Sequence, residues 1–349
     1  MKPVPVFTTR FPGVKVTIND IAKLAKVSKS TISRVINNSG PVSEKTRKAV
    51  RDAIEVLNYQ PNEIARSLSL KKTQTIGIIL QDIRNPYYAK ACWYADTHFR
   101  NYDLRTIICN ADNDPEREEA YLQAMRYRNV EGILCIGVQE NASSILNFVS
   151  QVDIPIVLVD REVDSSEIAT VNVDNIFGGQ LVVDYLFSLG HSRIAFVTSS
   201  YTTAEKYRLE GYRSALQNRD VPGEKELVIS QSEELWHRGE CPELIDILRR
   251  KDRPSAIFAS NDFKALQVLR LLQRVNITIP QDLSLVGYDD IESSSIVTPA
   301  LTTVHQPIDK MIDTGVQMLV KQIEDTNENK KQVIMKPWLV ERESTRKLL

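Results

Sequence analysis

The sequence predicts two architectures in series: an all-α head of three short helices over about residues 16–61, and an α/β body from residue 75 made of two doubly wound parallel-sheet lobes. Three observations carry this. Capped segments with helical apolar spacing recur three times before Asn58, and short apolar strands alternate with helical stretches from Thr75 onward. The charge is also segregated, because residues 1–74 hold 14 Lys and Arg against 5 Asp and Glu, whereas the rest of the chain holds 30 against 40. A chain of 349 residues with 42% hydrophobic side chains is long enough for two or three separate cores.

In the head, Thr17 opens the first helix with Asp20 three residues on, and Ile18, Ile21, Ala22 and Ala25 share one face. After a three-residue break Ser28 caps a second helix, Lys29 to Asn37, that gathers Ile32, Val35 and Ile36 on one side. Lys29, Ser30, Ser33, Arg34 and Asn37 fall on the other. A third helix, capped by Ser43 and ending near Asn58, turns Val50, Ala53, Ile54 and Leu57 inward. This is helix-turn-helix spacing. The polar face of the second helix is short-chained in the middle and cationic at both ends, which suits a major groove, with Lys and Ser reaching base edges and Arg34 a guanine or a phosphate. A solvated face on an ordinary helical hairpin is the plainer reading, and it leaves the agreement of spacing, caps and charge unexplained.

Residues 62–75 begin with an Asn cap and place Ile64, Ala65 and Leu68 at helical spacing over about two turns. So short a helix is marginal alone, so it is expected to fold only with partners and to act as a switch; a plain basic linker is the competing reading.

In the body, TIGIIL, LRTIIC, GILCIG and PIVLVD read as one series of parallel βα units, and a second series begins near Thr170 with TVNVD, RIAFVT, SAIFAS and LSLVGYD. Two such sheets imply two lobes with a cleft between them. No G-x-G-x-x-G, G-x-x-x-x-G-K-[ST] or G-x-S-x-G follows any strand, which removes the main support for nucleotide-binding and hydrolase readings. Polar residues stand at strand C-termini, where open α/β sheets place ligands: Asp160 followed by Arg161, then Asn261, then Asp289. Asp160 has competing roles as a helix cap or as the partner that pins Arg161 in an interlobe ion pair. The NPYY loop presents Tyr87 and Tyr88, aromatics suited to the apolar face of a sugar ring, and Lys206 near Arg208 hints at an anionic ligand. Asp160 and Asp289 as an acid/base pair would be the enzymatic alternative.

The four cysteines (Cys92, Cys109, Cys135, Cys241) show no C-x-x-C pair and the four histidines no metal-ligand spacing, so neither disulfide, metal nor cofactor is expected. There is no apolar run of 18 residues and no signal-peptide core between Met1 and Lys15, so a cytoplasmic protein without membrane contact is expected.

VTINDIAKLAKVSKSTISRVINNSGPVSEKTRKAV (16–50), with PQDLSLVGYDD and TPALTTVHQP within 280–307, strongly resembles the lactose-repressor (LacI/GalR) family of bacterial transcriptional regulators, and the likeness runs through the whole chain. The resemblance implies that Lys29, Ser30 and Arg34 read bases and that Thr17, Ser28, Thr31 and Asn37 contact phosphates. It implies paired hinge helices in the minor groove, with Leu68 wedged into a base step and Ala65 against the sister hinge or groove wall. For the body it implies periplasmic-binding-protein architecture, with lobe one about 75–172 and 305–328 and lobe two about 173–304 and 329–345. Arg208 matches the family arginine that grips effector hydroxyls, beside Tyr88, Asp160, Arg161, Asn261 and Asp289. The expected protein is a homodimeric repressor of carbohydrate-utilisation genes on a palindromic operator, controlled by a sugar or sugar acid; the alternative is a sugar-binding protein without a regulatory role.

Overall fold

The computed structural model describes residues 16–36, 39–59, 73–137, 142–199, 202–219, 227–325 and 331–348. Asn37, Ala65 and Leu68, with the rest of the expected hinge through residue 72, lie outside the described residues. The chain divides into two compact units, Met1–Thr73 and Gln74–Leu349.

The first unit holds α1 (Ile18–Ala25), α2 (Lys29–Ile36) and α3 (Glu44–Val56). Ile21, Ile32, Val50 and Ala53 are its buried centre, with Ile18, Ala22, Val35, Ile54 and Leu57 packed around them. Asp20 Oδ2 accepts from both the backbone N–H (2.9 Å) and the hydroxyl (2.7 Å) of Thr17, closing the start of α1. Lys26 ends that helix in the left-handed region, φ +54°, and the chain turns directly into α2. Ser28 and Ser43 accept from the N–H groups of Thr31 and Thr46 at 3.2 and 3.3 Å, the bonds expected of N-caps.

The second unit runs in chain order as β1 (Thr75–Leu80), α4 (Pro86–Arg100), β2 (Arg105–Asn110), α5 (Pro115–Tyr127), β3 (Gly132–Ile136), α6 (Ser143–Gln151), β4 (Ile156–Val159) and β5 (Ala169–Val173). It continues with α7 (Asn175–Ser188), β6 (Ile194–Thr198), α8 (Thr203–Gln217), β7 (Leu227–Ser230), α9 (Glu233–Arg238), α10 (Pro242–Leu248), β8 (Ala256–Ala259) and α11 (Asp262–Arg274). It closes with β9 (Ser284–Val286), α12 (Glu292–Ile296), β10 (Thr303–His305), α13 (Ile308–Glu324), β11 (Gln332–Met335) and β12 (Trp338–Val340).

The first lobe is a six-stranded parallel sheet in the order β11-β5-β4-β3-β1-β2. Its strands alternate strictly between two cores: Ile76, Ile78 and Leu80 of β1 face α4 and α13, while Ile79 faces α5 and α6, and β3 and β4 repeat the pattern. Burial on both faces makes these strands read as unbroken apolar runs. The second lobe is the parallel sheet β7-β6-β8-β9. Parallel bridges Val286↔Thr302 and Asp289↔His305 extend it to β10, which pairs antiparallel with β12.

The sheet order departs from the sequence expectation at two strands. TVNVD does not open the second lobe, because β5 pairs with β4 in the first sheet. Residues 332–335, expected in lobe two, form the first sheet's edge strand beside β5. The physical reason is α13, which packs its apolar face on β3, β4 and β5 and so delivers the next strand to the same sheet. Only at β12 is the chain back in lobe two. Edge strand β11 buries neither face fully, so it lacks the apolar run that announces a central strand.

Candidate functional site

A cavity of about 360 Å³ opens between the two lobes, at the C-terminal ends of the parallel strands. The first lobe contributes Gln81, Asp82, Arg84 and Asn85 beyond β1, Tyr87 and Tyr88 in the first turn of α4, Asp112 and Asn113 beyond β2, and Asp160 beyond β4. The second contributes Ser199 and Thr202 beyond β6, Glu205 and Arg208 on α8, Asn261, Phe263 and Lys264 beyond β8, and Asp289 beyond β9. Ligands in doubly wound folds gather at this sheet end because the connecting loops diverge there and leave a crevice.

Arg208 is the centre of the floor and is 3% exposed. Helices α7 and α8 meet backbone to backbone: a Cβ on Gly179 would lie 2.3 Å from the Arg208 carbonyl oxygen, and one on Gly211 2.1 Å from that of Ile176. Such contact lets Arg208 Nε donate to Asn175 Oδ1 at 2.9 Å while Nη1 donates to the Ser260 carbonyl at 2.7 Å. Its guanidinium carbon stacks 3.8 Å from the centroid of the Tyr288 ring. Three buried carboxylates surround it. Asp289 Oδ1 lies 3.5 Å from Nη1 and accepts from Gln306 Nε2 at 2.7 Å. Glu205 accepts from Ser260 Oγ at 2.8 Å and from the Thr202 hydroxyl at 3.1 Å. Burial pushes the Asp160 carboxyl up to about 6 against the opposing pull of Arg208, and burial also raises Asp289 well above the ordinary carboxylate range. The floor is therefore a set of fixed acceptors around one planar donor, the chemistry that binds hydroxyl groups.

Of the residues expected here, Tyr88, Asp160, Arg208, Asn261 and Asp289 come together in this cavity. Tyr88 is anchored by donating its hydroxyl to Gln81 Oε1 at 2.7 Å, and Asn261 also caps α11 by accepting from Lys264 N at 2.7 Å. Arg161 does not join them. Asp160 adopts φ +57°, and the two terminal nitrogens of Arg161 grip the carboxylate of Glu118 on α5 of the first lobe. Both partners are essentially fully buried, so this is a structural ion pair. Lys206 is exposed and outside the cavity lining, which removes the hint it gave of an anionic ligand. Trp236 lies in the second-lobe core, its Nε1 donating to the Thr198 carbonyl at 3.4 Å. Sequence reasoning missed Gln81, Asp112, Ser199, Glu205 and Phe263. Gln81 and Ser199 directly follow strands β1 and β6, so the rule that found Asp160 would have found them too.

In the first unit, Thr17, Ser28, Lys29, Ser30 and Arg34 are exposed and Thr31 half-buried. The Ser28 hydroxyl lies 2.7 Å from that of Ser30 and 2.8 Å from that of Thr31, so the cap and the start of the exposed α2 face form one hydroxyl cluster. Among the described residues no group of three His, Cys, Asp or Glu is placed to hold a metal ion, and no helix is long and apolar enough to cross a membrane.

Residues 17–62 match the family of bacterial regulatory proteins, lacI family, and residues 183–345 match the periplasmic binding protein-like domain. The chain is 32% identical over 333 residues to the HTH-type transcriptional repressor PurR of Aliivibrio salmonicida, covering 95% of this chain and 99% of that one. A LacI family transcriptional regulator from Enterococcus faecium, solved with bound ribose, superposes with a TM-score of 0.70 at 26% identity, over 79% of this chain and all of the other. A lac repressor dimer bound to operator and the anti-inducer ONPF superposes with a TM-score of 0.83 at 24% identity, over 95% of this chain and all of the other, which is a likeness of fold. A capped three-helix unit and a two-lobed body with an interlobe cavity are thus joined in the order, and over nearly the full length, of a curated repressor. The chain belongs to the lacI family: it is a helix-turn-helix DNA-binding transcriptional regulator with a periplasmic-binding-protein-like effector domain, and not an enzyme.

Proposed function

We propose that this protein is a cytoplasmic, homodimeric repressor of carbohydrate-utilisation genes that grips a palindromic operator and is controlled by a small sugar held between its lobes. Among the described residues, Thr17, Ser28, Lys29, Ser30, Thr31 and Arg34 are assigned to DNA contact, and Tyr88, Asp160, Arg208, Asn261 and Asp289 to effector contact. The observation that carries the reading is the buried Arg208 guanidinium among Asp160, Glu205 and Asp289 in a cavity of about 360 Å³, near the small end of the roughly 300–1,000 Å³ typical of ligand sites. Between a neutral sugar and a sugar acid, the lining favours the neutral one: five carboxylates (Asp82, Asp112, Asp160, Glu205, Asp289) face three cations (Arg84, Arg208, Lys264). The ribose held by the Enterococcus regulator supports that class, and the operator-bound lac repressor dimer supports the palindromic, two-headed mode. A sugar-binding protein without a regulatory role leaves the head at residues 17–62 without a purpose.

A thermal-shift panel tests this. D-ribose, D-xylose, D-glucose and D-galactose are compared with D-gluconate and D-galacturonate, and a neutral sugar is expected to raise Tm by about 5 °C or more at saturation. Stabilisation by the acids alone would overturn the neutral assignment, and no shift from any sugar would overturn the sugar reading.

A further inference from the structure

Asp262 is the first residue of α11 and sits among Asn261, Phe263 and Lys264, through which that end of the helix lines the cavity. Its own side chain is fully buried and reaches the junction of the lobes instead. Oδ2 accepts from the Ile291 backbone N–H at 3.0 Å and from Ser294 Oγ at 2.6 Å, while Oδ1 accepts from Thr303 Oγ1 at 2.6 Å. Its backbone N–H donates to the Tyr288 carbonyl at 2.6 Å.

One residue therefore holds the Tyr288–Ser294 segment at both ends. That segment carries Asp289 on the cavity floor and then inserts Ile291 into the first-lobe core. The same carboxylate holds β10 just ahead of the second passage between lobes, His305 to Ile308. Asp289 at φ +115° and Asp290 at φ +57° lie where L side chains are rarely found, and such backbone persists only where neighbours fix it. Gly287 makes the approach feasible, since a Cβ there would lie 2.1 Å from Asp262 Oδ1. Leu266, one turn along α11, packs against the first-lobe core.

We propose that Asp262 is a positioning residue that couples the effector-facing end of α11 to the Tyr288–Ser294 segment and to the β10–α13 passage between lobes, so that ligand on the second-lobe wall resets the arrangement of the lobes. This rests on the effector reading above. Its chemistry is two acceptor oxygens serving three donors. Asn can keep most of that, because one oxygen still accepts from Ile291 and Ser294 while the Thr303 hydroxyl rotates to accept from Nδ2. Ala keeps none of it.

The test is hydrogen exchange on the full chain for wild type, D262N and D262A, without ligand and with D-ribose, D-glucose and D-gluconate as probes. Without ligand, D262A is expected to exchange roughly tenfold faster over residues 288–294 while β1 and β6 stay within about twofold of wild type, and D262N to stay near wild type. A protecting probe should slow exchange on both walls of the wild-type cavity, residues 81–88 and 261–268, but only at 261–268 in D262A. Unchanged exchange at 288–294, a uniform rise throughout the body, or wild-type protection on both walls of D262A would each overturn the proposal. Should D262A fail to fold, the paired S294A/T303V variant removes two of the three donors and is read the same way. A panel in which no probe protects wild type refutes the effector reading alone, and the ligand-free comparison still decides the role of Asp262.

Discussion

Arg208 Nη1 and Asp289 Oδ1 face each other at 3.5 Å on the cavity floor, each fixed by other partners: Arg208 by Asn175 and the Ser260 carbonyl, Asp289 by Gln306. The pair is preorganised, because protein contacts alone hold the geometry of both side chains, which lowers the ordering cost of binding.

Removing Arg208 therefore removes the proposed effector fork and leaves Asp289 and Asp160 without their buried counter-charge. R208A is expected to abolish sugar-induced stabilisation and to lower body stability by about 3–5 kcal/mol. R208K keeps the charge but not the planar fork, so it should recover stability better than binding. Calorimetry and urea melts on both variants check this; equal sugar affinity in R208K and wild type would contradict it.

Arg161 and Glu118 make the opposite case, a buried pair off the cavity. R161A strands a buried carboxylate and is expected to cost about 3–5 kcal/mol, whereas the double variant R161M/E118L, which removes both charges, should cost far less. Sugar affinity of the folded double variant should stay near wild type. A large loss of affinity there would place Arg161 in the effector site after all.

Burial pushes Asp160 and Asp262 each up to about 6. The folded state then binds more protons than the unfolded chain between pH of about 4 and 6, so the stability these groups contribute is full below that window and is lost as pH rises through it. D160N, neutral throughout, is expected to raise stability at pH 7.5 by about 1–3 kcal/mol and to flatten the decline. Denaturant unfolding from acid to neutral pH measures it. An unaltered slope, with lower stability at pH 7.5, would contradict the assignment.

In the head, the exposed Lys29, Ser30 and Arg34 lie on α2, opposite the buried Ile32. R34A is expected to weaken binding to the preferred duplex by about 1–3 kcal/mol without altering sugar-induced stabilisation of the body. Exchanging Lys29 and Ser30 should change which duplex is preferred. Competition binding against randomised half-sites reads both, and an unchanged preference would remove those residues from base reading.

The head was legible because its caps are local: Thr17 with Asp20, Ser28 with Thr31 and Ser43 with Thr46 are all contacts three residues apart. The central strands were legible because both faces are buried. What sequence could not show was decided at long range. Arg161 reads like a second cavity residue until the positive φ of Asp160 turns it toward Glu118, 43 positions earlier. Edge strand β11 depends on where α13 sends the chain. The role of Asp262 depends on Ser294 and Thr303, which are close only in the fold.

Regulation as proposed requires one coupling, between a charged head that holds palindromic DNA and a cavity whose occupant alters that hold. Duplexes selected from a palindromic library should be titrated by anisotropy between about 50 and 200 mM salt, with and without the most stabilising sugar of the panel. Salt-sensitive preference for the selected duplex over a scrambled one is expected, with a sugar-dependent change in affinity equivalent to about 1–3 kcal/mol. Equal, sugar-independent affinity for both duplexes across the salt range would contradict it.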